Sequence, residues 1–304
     1  MKNYLDNIYD WWKNIDKFLL FMILGLFFLG LFFSLVSTSL IASDKLNTNS
    51  YYFFLKHLLY ISLGLIILIF FSFLNQKFLI NISLLLFFIT FITLILVPII
   101  GTEVKGSKRW LDLLFLPRFQ PVEILKPFFI IVLSVLLSIK NRKLYLKYIL
   151  STFLIFPILL LLIYQPDLGQ TLLISMVWLA LIFVSGINIF LFFVFFLIVG
   201  LISSYLVMFI SKFQYIKLRI ISFLDSSSGN TYQADKASDA IINGGFFGKG
   251  IGEGTLNSRI PEAHTDYIVS VISEEFGAII VIGIILIYLI FSYKVIQKIN
   301  LLND

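Results

Sequence analysis

Long apolar runs separated by short polar breaks occupy most of the chain. A helix needs about 20 mostly apolar residues to cross a bilayer. Eight runs approach that length: 18–42, 52–74, 78–100, 122–139, 148–164, 170–187, 188–211 and 276–293, the fourth and fifth being short. The sixth and seventh are parted only by "SGIN", which predicts a tight turn. The pattern predicts an all-α polytopic membrane protein, organised as a single membrane domain over 1–304. Helices one to seven fill 17–211, a long loop fills 212–275, and an eighth helix with a tail fills 276–304. No soluble repeat, coiled coil or low-complexity linker interrupts them.

Composition supports that reading. Sixty per cent of the residues are hydrophobic and 13% charged, with a mean hydropathy of +1.00, whereas an ordinary soluble domain carries about 25% charge. The absence of cysteine excludes disulfides, thiolate metal sites and a thiol nucleophile. No cleavable signal peptide is expected. The opening "MKNYLDNIYDWWKNID" is polar and aromatic, and the apolar run after it is too long for a signal sequence. The net charge of +6 suits anionic headgroups or simple solubility.

Two polar segments are too long to be plain turns, and long loops between packed helices usually carry function. The first is "GTEVKGSKRWLDLLFLPRFQP" at 101–121; read on through "VEILK" to 126, it sets Lys105, Lys108, Arg109 and Arg118 beside Trp110. Such a loop can cradle a phosphate or pyrophosphate at headgroup depth, or serve as a basic belt with an aromatic anchor. Within it Glu123 and Lys126 are three apart on an expected membrane helix, so they can pair across one turn. Each would cost roughly 3 kcal/mol at mid-bilayer if it faced lipid, so their helix must turn them toward protein or water. If they are buried together, removing either charge strands the other at about 3–5 kcal/mol. "YQPDLGQT" at 164–171 places Asp167 between two apolar spans, as a helix cap or as a chemical group.

The second segment, 212–275, runs from a basic-aromatic start through "SSSGNTYQ" to "NGGFFGKGIGEG". The latter is not a Walker loop, because Lys249 is followed by Gly250 rather than Ser or Thr. Its glycines predict positive φ angles and close backbone approach, suiting a re-entrant or lipid-facing loop as well as a ligand site. Next comes "RIPEAHTDYIVSVISEEFG", with Glu262, His264, Asp266, Glu274 and Glu275 in a chain that has only 17 acidic residues and two histidines. Thr265 is placed to cap a helix starting near Asp266, with Asp266, Ser270 and Ser273 on one face. A lone Asp in a first turn is usually only a cap. Ionisable groups this dense beside a membrane helix point instead to function.

"KGSKRWLDL…RFQPVEILK", "QPDLGQT", "YQADKASDAIINGGFFGKGIGEG" and "PEAHTDYIVSVISEEFG" together resemble the SEDS proteins, the FtsW/RodA membrane glycosyltransferases of the bacterial cell wall. The run "DKASDAIINGGFFGKGIGEGT" and the acidic "EEFG" look more like the division branch, FtsW, than the elongation branch, RodA. The resemblance implies a peptidoglycan glycosyltransferase that polymerises lipid II into glycan strands during septal synthesis, releasing undecaprenyl pyrophosphate. It implies residence in the bacterial cytoplasmic (inner) membrane, with both termini cytoplasmic and both long loops on the periplasmic face. Charge alone leans only slightly that way: "KNRKLYLK" favours cytoplasmic termini, while Lys105, Lys108, Arg109 and Arg118 pull against it.

The aspartate of the family's "HTD" motif falls on Asp266, as general base. Other polar motif positions fall on Arg109, Gln120, Glu123, Lys126 and Asp167. With Lys105, Lys108, Trp110, Lys249 and His264 these form the expected substrate-binding set. A general base contributes roughly 10² to 10⁴ in rate, and the leaving pyrophosphate calls for Arg or Lys, or a divalent cation such as Mg or Mn. No organic cofactor and no nucleic acid are expected. The implied partners are a class B penicillin-binding protein and other divisome membrane proteins. The chain departs from the family at Val122, where Ser is usual, at Tyr267, where Phe is usual, in lacking Gly-Gly before Gln120-Pro121, and in showing eight helices where the family has ten. A lipid II flippase and an inactive divisome scaffold are the alternatives. The absence of a convincing internal repeat counts against a transporter.

Overall fold

The structure, a computed structural model, describes residues 2–38, 51–104, 107–112, 117–139, 143–209, 214, 216–218, 221, 232–256, 260, 263 and 266–303. Its contacts divide into two compact units, 74–220 and a second made of 1–73 with 221–304.

The second unit begins with α1 (Lys2–Asn14), then α2 (Lys17–Phe33), which Asp16 caps by accepting the Leu19 amide at 3.1 Å. A π turn, Ser34–Thr38, follows α2, and α3 spans Tyr52–Ser72. The remaining part of the unit contributes α9 (Tyr232–Gly244), α10 (Ile268–Phe276) and α11 (Ala278–Asn303). No residue of α3 is buried. An apolar helix with no buried side chain is suited to lipid.

The other unit holds α4 (Gln76–Ile100), strands β1 (Thr102–Val104) and β2 (Ser107–Trp110), then α5 (Pro121–Ser138), α6 (Leu144–Tyr164), α7 (Leu168–Val184) and α8 (Ile189–Phe209). Its core is one cluster in which the buried residues recur at helical spacing. Val122, Leu125, Phe129, Val132 and Leu133 of α5 face Phe87 and Leu94 of α4, Ile155 and Ile158 of α6, and Ile174 and Trp178 of α7. The indole of Trp178 donates to Ser151 Oγ at 3.3 Å, satisfying one polar atom that packing removes from solvent. Strands β1 and β2 form an antiparallel hairpin with Glu103 opposite Lys108, extended by a bridge between Leu111 and Phe119. The polar 101–121 segment is thus partly ordered as strand.

Every one of the eight apolar runs coincides with a helix, within a few residues at most ends. The first run departs furthest, with regular α-helix ending at Phe33 and residues 39–50 lying outside those described. The last helix runs on to Asn303. Among the described residues six helices are long and apolar enough to cross a membrane: Lys17–Val36, Tyr52–Ser72, Gln76–Ile100, Pro121–Ser138, Leu144–Tyr164 and Ala278–Leu301. Leu168–Val184 is apolar but shorter. The architecture is that of an all-α multi-pass membrane protein.

Candidate functional site

In the 74–220 unit the loops around α5 and α7 bring polar groups together. Arg109, at the end of the hairpin, donates from Nε to the Gln165 carbonyl at 3.3 Å and from Nη2 to the Pro166 carbonyl at 2.6 Å. Its Nε also lies 3.8 Å from Asp167 Oδ2, in an ion pair 28% exposed on the arginine side and 8% on the aspartate side. The same Oδ2 accepts the side-chain amide of Gln120 at 2.8 Å, while Oδ1 faces the Gln170 amide at 3.4 Å as the N-cap of α7. Asp167 is therefore both a cap and the hub of a cluster. Buried in this way, its carboxylate depends on these donors.

One step along, Glu123 and Lys126 pair at 2.6 Å, and the Gln170 side-chain amide donates to Glu123. Glu123 is 48% exposed. Lys126 is 20% exposed, so the pair is only partly buried, which corrects the case of a fully buried couple. Beside the cluster, Pro98, Glu103, Ser107, Lys108, Tyr164, Gln165 and Pro166 line a cavity of about 310 Å³. Lys108 is exposed on the hairpin and Trp110 is half-buried at its end. Among the described residues the guanidinium of Arg109 retains further N–H donors for an anion. The expected residues Arg109, Gln120 and Asp167 thus meet directly, with Glu123 and Lys126 joined to them through Gln170.

The unit formed by 1–73 and 221–304 carries the acid-rich stretch. Helix α10 starts at Ile268 after a turn at Asp266 and Tyr267, two residues later than the sequence suggested. Asp266 is exposed while Ser270 and Ser273 are buried, so the three do not share a face. The reason lies in the neighbours. Ala263 and Ile260 are buried with Ala240 of α9 and Val271 of α10, and Tyr267 packs on that cluster. These anchors hold the turn against the protein and leave the Asp266 carboxylate on its outer side. His264 and Thr265, like Lys105, lie outside the described residues.

Glu274 is fully buried, a role sequence reasoning missed although it noted the acid. Its Oε1 accepts Asn243 Nδ2 and the amides of Thr255 and Leu256, each at 2.9 Å. One carboxylate therefore gathers α9, α10 and the loop between them. The glycine-rich loop closes the same assembly through its backbone. Lys249 N bonds Glu274 O at 2.9 Å, Gly250 N bonds Glu275 O at 3.1 Å, and Ala278 N bonds Gly245 O at 2.9 Å. A Cβ on Gly244 would sit 2.1 Å from Ser273 O, and one on Gly277, at φ 85°, would sit 2.2 Å from Phe246 O. The expected close backbone approach exists, and its object here is α10 and the start of α11. Lys249 projects from this loop into the open.

The profile of the FtsW/RodA/SpoVE cell cycle proteins matches residues 17–304. The chain is 33% identical over 278 residues to the probable peptidoglycan glycosyltransferase FtsW of Coxiella burnetii, covering 88% of this chain and 73% of that protein. It is 28% identical over 299 residues to the protein of the same name from Caulobacter vibrioides, covering 97% and 75%. The fold is similar to a chain in a solved peptidoglycan synthase complex described as coordinating polymerization and crosslinking, with a TM-score of 0.71, 23% identity and coverage of 92% and 77%. It is also similar to the rod shape determining protein RodA of Thermus thermophilus, with a TM-score of 0.60, 22% identity and coverage of 93% and 74%. By the extent of the profile match, the chain belongs to the FtsW/RodA/SpoVE family of cell cycle proteins.

Proposed function

We propose that the chain is a peptidoglycan glycosyltransferase that polymerises lipid II during septal cell-wall synthesis. The observation that carries this reading is the exposed Asp266 carboxylate, held on a turn whose neighbours Ala263 and Tyr267 are anchored in a small core. Family membership and the names of the curated relatives support the chemistry. In this reading the 4-hydroxyl of one lipid II sugar attacks the anomeric carbon of the growing chain. Asp266 takes the hydroxyl proton, the bond from that carbon to the pyrophosphate oxygen breaks, and undecaprenyl pyrophosphate leaves with the electron pair. A positioned base of this kind is worth roughly 10² to 10⁴ in rate.

Within the 74–220 unit, Lys108, Arg109 and Lys126 offer positive charge of the kind a pyrophosphate calls for, with Trp110 in the same loop. Among the described residues no three His, Asp or Glu side chains converge to hold a metal ion. No step above passes through the divalent cation that the resemblance implies. The similarity to a chain of a synthase complex supports a class B penicillin-binding protein as partner, together with other divisome membrane proteins. The same reading puts the chain in the bacterial inner membrane, with the site on the periplasmic face and the termini in the cytoplasm.

The test is a lipid II polymerisation assay on the full chain with its transpeptidase partner. Asp266→Asn abolishes glycan synthesis while leaving the melting temperature unchanged, because an exposed side chain contributes little to packing. Near-normal strand synthesis by the mutant overturns the assignment. Movement of lipid II across vesicles without polymerisation would favour the flippase, and neither activity would favour a scaffold.

A further inference from the structure

The family match begins at Lys17, so α1 lies outside it, and the reading above makes no use of α1. At 100° per residue this helix presents two adjoining arcs. One arc holds Trp11 and Asn14, which together with Asp10 and with Ile15 just past the helix end line a cavity with Ser72 and Phe73 at the end of α3. The Trp11 indole donates to Ser72 Oγ at 2.9 Å, and its ring stacks on Phe73 at 4.9 Å between centroids. The other arc holds Ile8, Trp12 and Tyr9, which are 53%, 42% and 69% exposed.

The position of α1 identifies what covers that second arc. Residue 14 ends α1 and residue 17 starts the α2 span, while Trp11 is fixed to the last turn of the α3 span. The helix is therefore held where two apolar spans emerge, at headgroup level. Lys17 sits over the Trp12 ring, 5.6 Å from its centroid, and Lys13 flanks the arc. Tryptophan and tyrosine with adjacent lysines prefer the interface between acyl chains and headgroups.

We propose that α1 is an in-plane membrane anchor whose Ile8, Tyr9 and Trp12 arc is inserted into the lipid interface, while Trp11 ties it to α3. The anchor is independent of glycosyltransferase activity. It fixes the height of the α2 and α3 ends relative to the phosphates.

Because the chain has no cysteine, Ile8→Cys, Trp12→Cys and Lys13→Cys each give a uniquely spin-labelled protein. The full chain is reconstituted in vesicles of phosphatidylethanolamine and phosphatidylglycerol, and label accessibility to oxygen and to a water-soluble nickel chelate is measured. Labels at positions 8 and 12 should favour oxygen and lie about 5–10 Å inside the headgroup boundary. The label at 13 should favour the chelate. Aqueous accessibility at all three positions overturns the proposal. Shielding from both reagents at 8 and 12 also overturns it, assigning the arc to another protein chain. Ile8→Cys keeps the contact between Lys17 and Trp12 intact, so that label tests the arc even if the Trp12 variant disturbs the helix.

Discussion

The side-chain amide of Gln120 donates to Oδ2 of Asp167 at 2.8 Å, tying the start of α5 to the start of α7. The same oxygen faces Arg109, so one carboxylate sets the spacing of three chain segments. Asp167→Ala should remove the α7 cap at about 1 kcal/mol and leave the Arg109 charge without its partner. Asp167→Asn keeps an acceptor and should fall between that variant and the wild type. Melting curves on the three proteins check the order, and equal melting temperatures would deny the hub.

Arg109 should show a mixed phenotype. Its guanidinium grips the Gln165 and Pro166 carbonyls, so the alanine variant loses structure as well as ligand charge. Nothing in "SKRW" shows contacts to residues more than fifty positions away. Hydrogen bonds involving a charged group are worth about 1.5–3 kcal/mol, and Arg109→Ala should destabilise by that order. Arg109→Lys should retain the charge but not the fork. A lysine variant as stable as wild type would show that the two carbonyl contacts contribute nothing.

Glu123 and Lys126 should matter less to stability than a buried couple would. With Glu123 48% and Lys126 20% exposed, either single removal should cost less than the roughly 3–5 kcal/mol of a fully buried pair. A melting curve and a polymerisation assay on Glu123→Leu, Lys126→Met and the double variant separate the roles. Near-wild-type melting with poor polymerisation in all three would place the pair in substrate handling. A loss of several kcal/mol on either single change would mean that solvent does not reach it.

Glu274 predicts the opposite balance. Glu274→Ala leaves Asn243 and two backbone amides without their acceptor, at about 1–3 kcal/mol for each buried unsatisfied group. Glu274→Gln keeps a carbonyl oxygen in place and should recover most of the melting temperature. Failure of glutamine to rescue would show that the negative charge itself, rather than the acceptor, holds the loop.

Asp16 supplies a pH test. The Lys298 ammonium, bonded at 2.7 Å, and the Leu19 amide hold its carboxyl below the ordinary value of 3.8. A carboxyl lowered on folding adds stability that is fully present above its unfolded value and disappears as pH falls through the folded value. The wild type should therefore melt higher than Asp16→Asn at neutral pH and converge with it as pH drops below 3.8. Raised salt should shrink the neutral-pH difference, since both partners are open to solvent.

Hydrophobic run length made the membrane helices legible because a bilayer imposes both length and polarity on every residue that crosses it. The α9 and hairpin segments were not legible in the same way, and α10 was legible only to within two residues of its start. They are short, and their pairing is set by distant partners: Ala240 meets Ile260 and Val271, and Glu274 meets Asn243 and Thr255. Helix α1 hid for another reason, its apolar residues being spaced along one stripe rather than run together. At the candidate site, residue types in "QPVEILK" and "QPDLGQT" suggested polar contacts, but the link through Gln170 needed three dimensions. The turn at Asp266 shows the converse, where a motif marked the residue while packing of Tyr267 decided which way it points.

The join between the glycine loop and the α10–α11 junction is made by peptide groups, with only hydrogen present where side chains would collide at Gly244 and Gly277. Such a seam has no dependence on the identity of the residues that project from it. Ile242, Phe246, Phe247 and Ile251 stand 75%, 70%, 84% and 60% exposed along it. The loop is thus a mutable display on an immutable hem. Exchange of those projecting residues can retune what the surface meets without loosening α10, whereas a single methyl at either glycine would open the seam.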